Sequence, residues 1–65
     1  MKYRIVINNY QKGAKLKTTP TERIVSQTRI DSRHTEVVYD LNHKNQVEFI
    51  EKVFSRRLEA IEHEN

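Results

Sequence analysis

A chain of 65 residues without a single cysteine has to hold itself together by packing alone. Disulfides and thiolate zinc sites are excluded, and one small core rarely contributes more than about 3–5 kcal/mol. The histidines, His34, His43 and His63, are 9 and 20 residues apart. None has the short separation that brings two imidazoles to one metal. No metal and no cofactor are expected. Self-association is the remaining device by which small domains gain stability, so a homodimer is expected.

No apolar run approaches the roughly 18 residues of a membrane span. Met1 and Lys2 lead directly into a strand pattern rather than an export signal, which with the lack of cysteine suits a reducing cytoplasm. The net charge of +3 is unevenly placed. Residues 1–44 carry nine Lys/Arg against four Asp/Glu, whereas residues 45–65 carry three against five. A basic front is followed by a mildly acidic end.

Residues 2–9 contain the clearest strand, Tyr3-Arg4-Ile5-Val6-Ile7, rich in β-branched and aromatic side chains. Residues 10–21 read as a connection, with the only glycine (Gly13), the only proline (Pro20) and three cations, Lys12, Lys15 and Lys17. Residues 22–30 and 35–41 read as two further strands joined through the turn composition Asp31-Ser32-Arg33-His34. From Asn45 the hydrophobic period changes from two to 3.6. Asn45 and Glu48 fit a capping box, and neither Gly nor Pro interrupts residues 45–63, which predicts one long helix. The expected architecture is a single α+β domain, a three-stranded antiparallel sheet in βββα order packed by one C-terminal helix.

Strand alternation predicts two faces. Tyr3, Ile5, Ile7, Ile24, Ser26, Thr28, Ile30, Thr35, Val37, Tyr39 and Leu41 form the set for the helix to cover. The opposite set includes Arg4, Arg23, Arg29, Glu36 and Asp40. It reads either as a solvated face with cross-strand ion pairs or as a binding face whose arginines grip a partner. On the helix, Val47, Ile50, Phe54, Leu58 and Ile61 form one stripe, with Phe49, Val53 and Ala60 on its shoulder. Together they span more than the roughly 100° that one core uses. The shoulder, with Arg57 between the stripes, is covered either by the long connection or by a second protein molecule. Phe49, Val53, Arg57 and Ala60 are therefore the candidate interface.

The residues offer little for catalysis. Asp40, His43 and Ser55 contain the residue types of a triad, but Asp40 points to the sheet face away from the helix and Ser55 to the helix's polar side. One glycine cannot build a phosphate loop. The chain reads as a non-enzyme without a small-molecule substrate. The positive signal is the basic connection: Lys12, Lys15 and Lys17, extended by Arg23, Arg29 and Arg33, suit a phosphate backbone. The outer sheet face has no aromatic for base stacking, and Tyr10 is the one candidate for that role.

The order of three strands and a helix is similar to the sheet-reading DNA-binding domains of some integrases, a likeness of topology with no motif attached. The short, Lys/Asn/Ile-rich chain also resembles small phage or mobile-element reading frames. The expectation is a small, self-associating regulatory protein that engages nucleic acid through the basic loop and sheet face. The alternative is a regulator or inhibitor that binds protein through the helix shoulder.

Overall fold

Alternation in the first strand, β1 (Lys2–Asn8), buries Ile5 and Ile7 and leaves Arg4 and Val6 on the other side. The computed structural model describes residues 1–61; the end of the expected helix, with His63, lies outside the described residues. Five further elements follow: α1 (Asn9–Lys15), β2 (Ile24–Arg29), β3 (His34–Asp40), α2 (Lys44–Phe54) and β4 (Glu59–Ala60). Two 3-10 turns, Leu16–Thr18 and Thr21–Arg23, join α1 to β2. The fold is α+β, with an antiparallel sheet in the order β2-β3-β1-β4.

This corrects the three-stranded βββα expectation, and with it the integrase-like order. Each outer strand is reached through a helix, and one strand lies between the two ends of each β-α-β unit. That is the ferredoxin-like, split β-α-β connectivity. Topology of this kind is shared by unrelated activities and carries no function by itself.

The core gathers Ile5, Ile7, Leu16, Val37, Tyr39, Leu41, Ile50 and Phe54. Tyr39 is buried but not unsatisfied. Thr19 donates its hydroxyl to the Leu16 carbonyl at 2.6 Å, so the Tyr39 phenol, 2.7 Å away, acts as donor to Thr19. Burial pushes that phenol above its ordinary range.

The connection expected at residues 10–21 contains α1. Seven residues with Gly13 inside are too few for a helix that stands alone. Contacts distant in sequence hold it. The Asn9 amide donates to the Arg33 carbonyl at 2.7 Å, the Asn9 side chain donates to Ser32 at 3.1 Å, and Leu16 enters the core. Gly13 has no positive φ and open space around it, so it gives the backbone no special turn.

The helix expected over 45–63 ends at Phe54. It starts at Lys44 with His43 as its cap, so the Asn45–Glu48 capping box is not formed; Gln46 instead reaches back to the Asn42 amide. Ser55 then takes the left-handed conformation (φ 55°, ψ 40°), and the Arg56 amide returns to the Glu51 carbonyl at 3.2 Å. This is the Schellman-type ending that glycine usually makes. The Glu51 carboxylate accepts the Leu58 amide at 2.8 Å and turns the chain toward β1, where Tyr3 pairs with Ala60 and Arg4 with Glu59. A left-handed residue with a Cβ costs roughly 1–2 kcal/mol, part of which glycine would return as unfolded-state entropy. Ser55→Gly is therefore expected to raise the melting temperature by about 4 °C. An unchanged or lower transition in a thermal melt would show that this turn carries no strain.

Candidate nucleic-acid interface

The second strand decides where the cations go. Ile24 pairs with Tyr39, but Ser26 pairs with Val38, so Val25 is an extra residue on β2. Such a bulge shifts every later residue to the opposite face. Gln27 and Arg29 stand opposite Val37 and Thr35, on the helix side; Ser26 and Thr28 stand opposite Val38 and Glu36, on the outer side. The expected inward placing of Ser26 and Thr28 is thus corrected, Ile30 lies exposed past the end of β2, and Arg29 leaves the outer face to which alternation assigned it. The helices do not cover this part of the sheet: residues 25–30 are all exposed.

On that open strip, Arg29 meets α1. Asn9, Lys12, Gln27, Arg29 and Thr35 line a polar cleft of about 460 Å³. Asn9 and Lys12 are three residues apart on one side of α1, and Leu16 continues that side into the core. Thr35 is buried beneath and donates its hydroxyl to the Asn9 side chain. A second, smaller depression, lined by Asn8, Asn9, Tyr10, Ser32 and Arg33, shares Asn9 with this cleft.

The six cations singled out by sequence thus divide into two groups. Lys12, Arg29 and Arg33 surround Asn9 at the hairpin end of β2. Lys15 at the end of α1, with Lys17 and Arg23 in the two 3-10 turns, lies toward the start of β2. Six residues of strand rise separate Arg23 from Arg29, roughly 20 Å. Residues 9–33 contain these six cations and only two carboxylates, Glu22 and Asp31. None of the six forms an ion pair among the described residues. Asp31 is occupied by the turn: it accepts the amides of Arg33 and His34 at 2.8 Å and contacts the His34 ring. The Arg33 amide leads in holding its carboxyl below the usual range.

The outer face differs. Arg4 pairs with both Glu36 and Glu59, and Asp40 pairs with the terminal amine of Met1. Its central strands present Lys2, Arg4, Val6 and Asn8 beside His34, Glu36, Val38 and Asp40, with no Phe, Tyr or Trp, and the one ring, the His34 imidazole, is held against Asp31. The arginine-bearing sheet face expected from alternation is therefore largely neutralised. Asn9, Gln27 and Thr35 escaped sequence reasoning, because the bulge and the return of α1 bring them together.

The four residues of the expected helix shoulder are dispersed. Phe49 is 47% exposed on α2, whereas Val53 packs partly against the core. Arg57 lies exposed after the helix, and Ala60 belongs to β4. Phe49 and Arg57 share a shallow depression with Glu48 and Lys52; Val53 and Ala60 do not line it. The stripe that implied an apolar surplus is not one surface, because Leu58 and Ile61 follow the helix instead of continuing it.

His43 and Ser55 bracket α2 from opposite ends, about 18 Å apart along its axis, so Asp40, His43 and Ser55 do not assemble. Among the described residues, no three His, Cys, Asp or Glu side chains are grouped as metal ligands, and no helix is long and apolar enough to cross a membrane. Comparison of the chain with family models, curated proteins and solved structures finds no match.

Proposed function

We propose that this protein is a small, non-enzymatic regulatory protein that binds the phosphate backbone of nucleic acid through the α1–β2 side of the molecule. The observation that carries this reading is the concentration of six cations on residues 9–33, where neither carboxylate of the segment pairs with any of them. Elsewhere cations and acids alternate: Lys44, Lys52, Arg56 and Arg57 share residues 41–61 with Glu48, Glu51 and Glu59. A one-sided basic field of this kind attracts polyanions and neutralises phosphates by counterion release.

The exposure of Phe49 supports a second reading, a protein contact on the outer side of α2. One aromatic ring is little beside the roughly 800 Å² per partner of a stable interface, so this reading extends only to a transient contact. The shortened helix removes the shoulder as a ground for self-association, the small size of the core remains one, and neither reading requires a second copy.

A salt titration tests the leading reading. With labelled oligonucleotides and fluorescence anisotropy, log K against log salt is expected to fall with a slope of about −4 for single strands, or about −5 for duplex, if all six cations meet phosphates. Failure of single- and double-stranded DNA and RNA to bind at 20 mM salt, or so, would overturn it.

A further inference from the structure

Resting on that reading, we infer that the ligand is single-stranded, with a base stacked on Tyr10 and a neighbouring backbone phosphate held between Lys12 and Arg29. The juxtaposition around Asn9 carries this inference. Tyr10 is 82% exposed, the highest value among the large hydrophobic side chains, and it shares the smaller depression with Arg33. The cleft of Lys12 and Arg29 adjoins it, because Asn9 lines both. Asn9 is fixed by its bonds to Ser32, Arg33 and Thr35, so the aromatic and the two cations stand on a held frame.

An exposed ring beside cations is what a splayed strand uses. Bases unstacked from one another lie on aromatic faces, while their phosphates follow the positive groove. In a duplex the base faces are already stacked, and Tyr10 would have nothing to cover. Among the described residues, no element stands free to enter a groove. β3 is flanked by β1 and β2, so the β2–β3 pair cannot act as a free ribbon, and the exposed side of α2 carries Glu48. The one ring on the outer face of the central strands, the His34 imidazole, is engaged by Asp31, which leaves Tyr10 as the stacking group of the basic side.

The test compares one sequence as a single-stranded 12-mer, as the same strand with abasic sites, and as a hairpin duplex, using wild type, Tyr10→Ala, Tyr10→Phe and Lys12→Gln. Circular dichroism checks that each variant is folded. Single strand is expected to bind more tightly than duplex. Tyr10→Ala should lose roughly five- to hundred-fold on the intact strand and little on the abasic one, with an unchanged salt slope. Tyr10→Phe should bind like wild type, and Lys12→Gln should flatten the slope by about 0.7. Duplex binding equal to single-strand binding, with Tyr10→Ala without effect, overturns this inference and leaves the backbone-binding reading standing. Absence of binding to every probe by the wild type overturns that reading and the inference with it.

Discussion

Replacing Lys12, Lys15, Lys17, Arg23, Arg29 and Arg33 together by glutamine is expected to weaken binding to a single strand at least about a thousand-fold at 50 mM salt. A slope of about −4 between 1 M and 50 mM salt amounts to some five orders of magnitude in affinity. A thousand-fold is the lower bound, because one short strand does not reach both cation groups with equal geometry. The fold should survive. The six side chains form no ion pairs among the described residues, and removing a one-sided field relieves repulsion. Surface changes of this kind lie within about 0.5 kcal/mol each. The control, Lys44→Gln with Lys52→Gln and Arg57→Gln, removes half as many charges, from the segment where cations and acids are mixed, and should leave binding near wild type. Anisotropy together with thermal melts reads both outcomes. A control loss about half as large, on a logarithmic scale, as that of the six-residue variant would mean that net charge, not its placement, governs binding.

How much of this was legible depended on the range of the interactions involved. β1, β3 and the hairpin joining β2 to β3 follow from local alternation, and Ile5, Ile7, Val37, Tyr39 and Leu41 are buried as the pattern predicts. α2 follows in its first three turns. Its end was hidden because Leu58 and Ile61 sit at helical spacing from Phe54 while the chain has already turned at Ser55, with no glycine to mark the turn. Their apolar character belongs to the return of the chain toward β1 and not to a helix shoulder. β4 has two residues, too few for any period to show. α1 has seven residues and exists through bonds from Asn9 to residues beyond the following strand.

The site divides in the same way. Residue type and local crowding single out the six cations and Tyr10 as candidates. They do not give the neighbours of each cation, because one extra residue at Val25 moves Arg29 across the sheet. No local pattern announces a bulge in a polar strand such as Ser26-Gln27-Thr28-Arg29. Both alternation sets remain acceptable there until pairing with β3 chooses between them.

Two neighbouring residues of α2 should respond in opposite ways to truncation. Ile50 is fully buried in the cluster formed with Ile5, Leu41 and Phe54, and Ile→Ala at such a site costs about 2–5 kcal/mol. A domain of this size has about 3–5 kcal/mol in total, so Ile50→Ala is expected to be largely unfolded at 37 °C. Phe49, about 100° around the helix, is 47% exposed, and Phe49→Ala should cost less than about 1 kcal/mol. Urea unfolding followed by circular dichroism gives both values, and light scattering supplies the mass, expected at 7.8 kDa for wild type and for Phe49→Ala. The contrast bears on association as well as on helix rotation. If Phe49→Ala proved as damaging as Ile50→Ala, something would have to cover that ring in solution. A mass near twice the monomer would then identify the cover as a second copy, and the outer side of α2, not the basic strip beside β2, would become the surface on which function is to be sought.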